Sequence, residues 1–214
     1  MSIGELYLVT DRGLCRGRPL IEVVEQAVAG GVSVVQLREK KASTRFFVEE
    51  AVTIKALLQQ HGVPLLINDR VDVALSVGAA GVHLGQKDLP YPMARRLLGP
   101  RAIIGLSVET EAEVLAAESY DVDYLGVSPL FPTPTKTDTR GSWGLPGLAR
   151  VRKLSRHRLV AIGGLNAANA AAAVNAGADS IAVVSAICAA DAPGAAAAEL
   201  LEKIRTAAAG RQKG

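Results

Sequence analysis

The sequence predicts a single-domain α/β protein with the TIM (β/α)₈ barrel fold. Eight short apolar runs alternate with longer helical patterns along 214 residues, which is about 27 residues per unit and suits this fold. Hydrophobic residues make up 49% of the chain, whereas aromatic residues make up only 4%. The core must therefore be built from Ala, Val, Leu and Ile, as is typical of a buried parallel sheet covered by helices.

Each unit can be followed in chain order. Several strands are entered through a glycine, as at Gly31, Gly81 and Gly177, which permits the left-handed cap that ends a helix. The predicted strands are Leu6–Thr10, Val32–Leu37, Leu65–Ile67, Gly81–Leu84, Ile103–Ser107, Tyr124–Val127, Val160–Ile162 and Ser180–Val184. Helical patterns between them include Leu20–Ala29, Thr44–Gln60, Glu111–Ser119, Ala167–Ala176 and Ala195–Ala208.

No linker-like stretch divides the chain. We therefore expect residues 1–209 to form one barrel and residues 210–214 to form a frayed C-terminal tail. The alternative fold is an open doubly wound sheet, which for a dinucleotide would have a glycine-rich turn after the first strand. The corresponding turn reads Thr10-Asp11-Arg12-Gly13 and lacks that fingerprint, so the barrel is favoured.

Composition narrows the class of partner. The net charge is +3 and no basic run contains interleaved aromatic residues, which argues against nucleic acid, whereas a slightly basic balance suits anionic phosphate substrates. No apolar stretch reaches membrane-spanning length, and no charged leader precedes the first strand. Cys15 and Cys188 belong to no CxxC or His/Cys cluster and are expected to be free thiols. We predict a cytoplasmic protein that has no membrane partner. The sequence is compatible with a homo-oligomer.

The residues that follow the strands are the candidates for function, because TIM-barrel active sites form at that face. After the second strand, Gln36 to Lys40 bring an amide and two cations together, although the run alone is more simply interpreted as a solvated loop. Asp69 and Asp88 follow the neighbouring third and fourth strands and can converge on one ion. Two carboxylates without His or Cys suit Mg²⁺. Each aspartate also begins a helical pattern, so helix caps are an equal alternative.

Three further loops point to phosphate. The loop Phe131-Pro132-Thr133-Pro134-Thr135-Lys136 is stiffened by proline and presents hydroxyls and one ammonium, which are groups that bind phosphate oxygens. After strands seven and eight, Gly163-Gly164 and Ser185 are placed as in the phosphate cradle of barrel enzymes, where backbone N–H groups approach the anion.

Histidines and the single tryptophan give weaker signals. His83 lies within the fourth strand and is interpreted as a hydrogen-bonded core residue, whereas His61 and His157 are expected at surface or helix-end positions. Trp143 either covers the neighbouring loop or simply packs. No Ser/His/Asp arrangement and no paired glycosidase-like acids stand out.

Seven motifs in order resemble the thiamine phosphate synthase family, and the resemblance spans essentially the whole chain. Any one of them alone would be weak, but together they are highly specific. They are QLREK (36–40), IND (67–69), GVHLGQKDLP (81–90), GLS (105–107), FPTPTK (131–136), AIGGL (161–165) and VVSAI (183–187).

This resemblance implies a transferase and assigns a role to each motif residue. Lys136, Arg38 and Ser107 are implied as catalytic, and Asp69 and Asp88 as the Mg²⁺ ligands. The residues implied to contact the aminopyrimidine diphosphate are Gln36, Leu37, Arg38, Glu39, Lys40, Asn68, Ser107 and Lys136. Those implied to contact the thiazole phosphate are Thr133, Pro134, Thr135, Gly164, Val184 and Ser185.

The implied reaction is dissociative. Pyrophosphate leaves, an aminopyrimidine methyl cation forms, and the nitrogen of the thiazole phosphate, or of its carboxylated form, attacks the cation. Such chemistry needs no side-chain nucleophile, and cations such as Arg38, Lys40, Lys136 and Mg²⁺ stabilise the leaving group.

Two positions depart from the family pattern. Ser128 replaces a usual glycine and is small enough to be tolerated, and Glu109 stands where the family often has histidine. A related branch, which resembles thiazole tautomerase, uses a histidine there. We expect Glu109 instead to open a solvent-exposed helix. The alternatives are therefore a tautomerase or a non-catalytic phosphate-binding barrel, and the latter would be expected to lose Asp69, Asp88 or Lys136.

Overall fold

Eight parallel strands close into a barrel, as the sequence predicts. The structure is a computed structural model that describes residues 3–133 and 141–211. Each strand pairs with the next along the chain, and β8 pairs with β1. The strands are β1 Leu6–Val9, β2 Val34–Leu37, β3 Leu65–Asn68, β4 Gly81–Leu84, β5 Ile103–Val108, β6 Tyr124–Val127, β7 Leu159–Ile162 and β8 Ser180–Val183.

Helices connect the strands and cover the outside of the barrel. A 3-10 helix at Arg12–Leu14 precedes α1. The α-helices in the described residues are α1 Leu20–Ala29, α2 Thr44–Gln60, α3 Val71–Val77, α4 Tyr91–Leu98, α5 Glu111–Ala117, α6 Gly144–Leu154, α7 Ala170–Asn175, α8 Ser185–Cys188 and α9 Pro193–Arg211. The predicted bounds of α1 and α2 are confirmed to the residue.

The start of α7 is later than predicted because side chains form a turn in front of it. Asn169 Oδ1 accepts a hydrogen bond from Asn166 N at 2.9 Å, and Asn166 Oδ1 accepts one from Ala168 N at 2.9 Å. These bonds hold residues 166–169 in a turn, because Asn side chains offer the backbone an alternative to helix.

The core has two layers with different compositions. The layer between strands and helices is mainly aliphatic, as predicted. In the barrel interior, however, the two largest fully buried side chains are Tyr7 and Tyr124. The expectation of a wholly aliphatic core is therefore wrong at the centre of the barrel.

The last helix continues into the segment that the sequence assigns to a frayed tail. Gly210 and Arg211 belong to α9. Arg211 Nη1 donates to the carbonyl oxygens of Val174 at 3.0 Å and Ala178 at 3.2 Å. These bonds hold the end of α9 against the β7–β8 region. Residues 212–214 lie outside the described residues.

His157 is buried rather than at the surface. Its side chain is 4% exposed, and Nε2 lies 3.2 Å from the carbonyl oxygen of Ala117 and 3.7 Å from Glu118 Oε1. The expectation of a surface position is therefore wrong, although His157 does lie just after the end of α6. The reason is that residues 155–158 lead from α6 into the buried strand β7 and pack against the end of α5.

None of the helices within residues 3–133 and 141–211 combines the length and apolar character that a membrane crossing requires. Both cysteines are free thiols and buried, as expected.

Candidate active site

A cavity of about 380 Å³ opens at the carboxyl ends of the strands. This is the face at which the loops after the strands converge. The structure brings most of the candidate residues to this one cavity. They are Gln36, Arg38, Lys40, Asn68, Asp69, Asp88, Ser107, Thr133, Gly164, Val184 and Ser185.

Two candidates from the second loop do not line the cavity. Leu37 is fully buried in the outer core, because successive side chains of a strand point to opposite faces and its neighbour Gln36 faces the interior. Glu39 is turned away and its Oε1 lies 3.4 Å from Arg12 Nε. The candidates Pro134, Thr135 and Lys136 lie outside the described residues.

Asp69 and Asp88 meet at the cavity, and neither caps a helix. The residue at the N-cap of α3 is Arg70, and the one at the N-cap of α4 is Pro90. The two carboxyl groups lie within hydrogen-bonding reach of each other, and burial together with this acidic neighbour raises the pKa of Asp88. The cap alternative is therefore wrong.

Asp88 is fixed by its own loop. Its Oδ2 accepts a hydrogen bond from Gly85 N at 2.7 Å.

Among the described residues there is no group of three or more His, Cys, Asp and Glu side chains that could hold a metal ion. Two carboxylates fit Mg²⁺, which normally keeps several waters and shares oxygens of a phosphate ligand.

Cations stand beside this acidic pair. Lys40 forms an ion pair with Asp69. Arg38 Nη1 lies 3.7 Å from Asp11 Oδ2, and its backbone N–H donates to Thr10 Oγ1 at 3.0 Å. The loop after β2 is therefore held by specific contacts at the cavity, whereas the run of charges alone suggests a solvated loop.

Two glycines shape the opposite side of the cavity. Gly163 and Gly164 have φ angles of 104° and 65°, in the region that favours glycine. A Cβ at Gly163 would lie 2.7 Å from Cβ of Pro129, and one at Gly164 would lie 2.8 Å from Cβ of Phe131. Only glycine lets the β7 loop approach the β6 loop this closely.

The described base of the β6 loop is anchored to its neighbours. Leu130 N donates to the Ile162 carbonyl at 2.8 Å, and Phe131 N donates to the Gly163 carbonyl at 3.1 Å. Trp143 is half-buried against the core, and its Nε1 donates to the Val108 carbonyl at 3.3 Å. Trp143 therefore packs, and the alternative that it covers the loop concerns residues 134–140, which lie outside the described residues. Ser128 is accommodated in this loop, with its N–H 3.3 Å from the Val108 carbonyl.

Sequence reasoning missed a polar chain inside the barrel. Gln36, Tyr7, Tyr124, His83 and Ser107 are linked by consecutive side-chain hydrogen bonds of 2.7–2.9 Å. His83 is confirmed as a hydrogen-bonded core residue, but it also lines the cavity. The signal that could have found the chain is a polar or tyrosine side chain at an inward-facing position of five different strands.

Glu109 is on the cavity wall and not in open solvent. Thr110 is the N-cap of α5, and its side chain accepts from Glu113 N. Glu113 Oε2 in turn accepts from Glu109 N at 2.7 Å, so the Glu113 side chain reaches back over the start of α5 to the residue before the N-cap. Both glutamates line the cavity. The expectation that Glu109 opens a solvent-exposed helix is therefore wrong.

The fold and the cavity define a barrel enzyme whose cavity has the carboxylates of Asp69 and Asp88 on one side and the glycines of the β7 loop on the other. The chain matches the family model for thiamine monophosphate synthase over residues 6–187. It is 56% identical over 199 residues to the thiamine-phosphate synthase of Albidiferax ferrireducens, covering 93% of this chain and 91% of that protein. It is 53% identical over 196 residues to that of Leptospira biflexa, covering 90% and 93%.

Solved structures agree with these relatives. The thiamine phosphate pyrophosphorylase from Pyrococcus furiosus superimposes with a TM-score of 0.87 at 39% identity, covering 95% of this chain and 96% of that one. The orotidine 5'-phosphate decarboxylase of Pyrococcus horikoshii, at 18% identity and a TM-score of 0.68, shares the fold alone. The chain belongs to the thiamine monophosphate synthase family.

Proposed function

We propose that this protein is a thiamine phosphate synthase. It joins 4-amino-2-methyl-5-hydroxymethylpyrimidine diphosphate to 4-methyl-5-(2-hydroxyethyl)thiazole phosphate, or to its carboxylated form, and releases pyrophosphate. The observation that carries this proposal is a single cavity with two chemically different sides. Asp69, Asp88 and Lys40 stand on one side, and Gly163 and Gly164 on the other.

The diphosphate end of the pyrimidine substrate is assigned to the acidic side. Four carboxylates line the described cavity, at Asp69, Asp88, Glu109 and Glu113. A diphosphate cannot approach them without added positive charge, because close like charges repel. Arg38, Lys40 and Lys87 supply part of that charge within the described lining.

We propose that Asp69 and Asp88 hold Mg²⁺. Their close approach and the raised pKa of Asp88 are expected of two carboxyl groups that repel each other when no cation lies between them. When bound, the ion would neutralise charge that develops on the leaving pyrophosphate. The protein's own cations act on the same charge: Arg38 and Lys40 are placed at the cavity for this role, and Lys136 is proposed as the third.

The thiazole phosphate is assigned to the loops after β6, β7 and β8. Thr133 supplies a hydroxyl, and the residues around Gly164 and Ser185 supply backbone N–H groups. Pro134 and Thr135 are proposed for the same site. Holding both substrates in one cavity converts a bimolecular attack into an intramolecular one, which lowers the barrier without a side-chain nucleophile.

Incubation of the protein with both substrates and Mg²⁺, followed by mass spectrometry, tests the proposal. We expect thiamine phosphate and pyrophosphate in equal amounts. Formation of neither product by correctly folded protein would contradict it. A non-catalytic barrel is disfavoured because Asp69 and Asp88 are present and converge.

Location and assembly complete the proposal. A cytoplasmic location fits Cys15 and Cys188, which are free thiols, because disulfides are rare in that reducing compartment. We further propose that the partners are small phosphate substrates only, and that a homo-oligomer is compatible with this site, which is built within one chain. Gel filtration with light scattering measures the assembly directly.

A further inference from the structure

A continuous chain of hydrogen bonds crosses the barrel interior beneath the cavity. Gln36 Nε2 donates to Tyr7 Oη at 2.7 Å, and Tyr7 Oη lies 2.8 Å from Tyr124 Oη. Tyr124 Oη lies 2.9 Å from His83 Nδ1, and His83 Nε2 lies 2.8 Å from Ser107 Oγ. The two ends, Gln36 and Ser107, line the side of the cavity to which the pyrimidine substrate is assigned.

The direction of each bond follows from the first one. Tyr7 Oη accepts from the Gln36 amide, so its own proton goes to Tyr124, because a buried hydroxyl proton without an acceptor is costly. Tyr124 then donates to His83 Nδ1, which leaves the proton of the neutral imidazole on Nε2, facing Ser107. At the ends, Gln36 presents its carbonyl oxygen to the cavity as an acceptor, and Ser107 presents its hydroxyl proton as a donor.

With a neutral imidazole, the opposite direction is the only other self-consistent state of these five groups. If the Gln36 amide turned over, its oxygen would accept from Tyr7 and every proton in the chain would reverse. Gln36 would then present NH₂ and Ser107 would present an acceptor. The donor and acceptor character of both ends is therefore coupled through three intervening side chains.

Packing fixes the rings that carry the chain. His83 stacks on Tyr124 with centroids 5.5 Å apart, and Tyr7 meets Tyr124 edge-on at 5.9 Å. A Cβ at Gly105 would lie 2.0 Å from Tyr124 Cζ, and one at Gly126 would lie 2.9 Å from His83 Cε1. These glycines make room for the rings. Burial raises the pKa of both tyrosines, so their hydroxyls keep their protons.

We propose that Tyr7, Tyr124 and His83 are positioning residues that set Gln36 as an acceptor and Ser107 as a donor towards the aminopyrimidine diphosphate. The inference rests on the proposed function. The exocyclic amino group of the substrate is a donor and matches the Gln36 oxygen. A 4-oxo pyrimidine diphosphate presents an acceptor at that place and meets the Gln36 oxygen unless every proton of the chain reverses. In the direction set by the bond from Gln36 Nε2 to Tyr7, the chain therefore favours the amine.

Tyr124→Phe tests the proposal, because it keeps the ring and removes the central hydroxyl. Three constants are measured. The KM of the aminopyrimidine diphosphate and the inhibition constant of its 4-oxo analogue together give the preference for the amine, and the KM of the thiazole phosphate reports on the other substrate. We expect the preference for the amine over the 4-oxo analogue to fall by about tenfold, the scale of one well-placed hydrogen bond, with the thiazole KM unchanged. A matched control is Tyr120→Phe, whose ring stacks on Tyr91 outside the cavity.

Retention of the full wild-type preference by folded Tyr124→Phe overturns the proposal. If wild-type protein forms no thiamine phosphate, the proposed function itself has failed, which is a different result. A measurement on wild-type protein covers the case in which the variant does not fold. In ¹⁵N NMR with the aminopyrimidine diphosphate bound, His83 should be the neutral Nε2–H tautomer, and an Nδ1–H tautomer would overturn the chain's direction.

Discussion

The ammonium group of Lys40 forms an ion pair with the carboxylate of Asp69, and so joins a proposed diphosphate ligand to a proposed metal ligand. Asp69 has a φ of 61°, a left-handed conformation that is unfavourable for a residue with a Cβ. Such backbone persists where surrounding contacts hold it, often at functional sites. In the proposed site, a diphosphate that binds Lys40 and a metal that binds Asp69 would each compete with this ion pair.

This ion pair predicts that metal and diphosphate favour each other's binding. Each ligand releases the residue that the other needs, so we expect pyrophosphate to bind more tightly when Mg²⁺ is present, by at least about fivefold, which is the low end of typical coupling between sites. Isothermal titration with and without Mg²⁺ measures this. In Lys40→Ala the coupling should shrink, and equal coupling in both proteins would contradict the role of the pair.

Replacement of either acidic residue tests the metal assignment. Asp69→Asn and Asp88→Asn each remove a charge from the proposed ligand pair, so turnover should fall by more than the roughly 10–100-fold that outer-shell partners of a metal cost. The control is Asp72→Asn, whose carboxylate pairs with Arg70 and does not line the cavity. Near-normal rates in both variants, or in protein treated with EDTA, would disprove the assignment.

Lys136 is predicted to act on the transition state. It lies outside the described residues, and the prediction rests on its motif and on the charge that pyrophosphate gains as the bond breaks. Lys136→Ala should lower kcat by about 2–4 kcal/mol in barrier, the scale of a lost oxyanion donor. Lys153→Ala, on the exposed side of α6, is the control. A changed KM with an unchanged kcat would contradict this role.

The strand positions and the meeting of the two cavity aspartates could be predicted from the sequence, but the contacts inside the barrel could not. The strands are short, mainly apolar runs, and β4 and β6 are predicted to the residue. The meeting of Asp69 and Asp88 follows from the adjacency of β3 and β4 alone. The contacts of Tyr7 and Tyr124 do not follow, because they join residues 117 positions apart. A strand pattern says which way a side chain faces, but not which side chain it meets across a barrel.

The end of α5 offers a prediction about stability and pH. Although burial opposes it, a hydrogen bond from Ser155 Oγ, helped by Arg156 and His157, lowers the pKa of Glu118. A lowered pKa means that Glu118 stabilises the fold above its unfolded pKa of about 4.3 and loses this contribution as pH falls through the folded value. Glu118→Gln should therefore lower Tm at pH 7 and approach wild type at acidic pH.

Thermal melts of Glu118→Gln and wild type between neutral and acidic pH check this expectation. Glu199→Gln, which is exposed on α9, controls for the loss of one negative charge at the surface. A Tm difference that stays constant from pH 7 to the acid limit would show that the carboxylate charge plays no part in holding α5 to the segment before β7.

The residue at position 109, on the cavity wall, distinguishes the synthase activity from the tautomerase activity. A tautomerase binds only the thiazole carboxylate phosphate and needs a general acid–base, for which histidine is suited because its usual pKa is close to working pH. Here the position carries Glu109, whose backbone N–H donates to Glu113 Oε2. The cavity also keeps Asp69 and Asp88, which a tautomerase does not need.

We therefore expect condensation activity and no appreciable proton exchange on the thiazole carboxylate phosphate. The measurement is deuterium uptake into that compound in ²H₂O, followed by NMR, beside the condensation assay on the same protein preparation. Glu109→Gln should leave condensation largely intact, because a capping contact through the backbone N–H survives the change. Rapid deuterium uptake without formation of thiamine phosphate would reverse the assignment and make Glu109 the first residue to examine as its base.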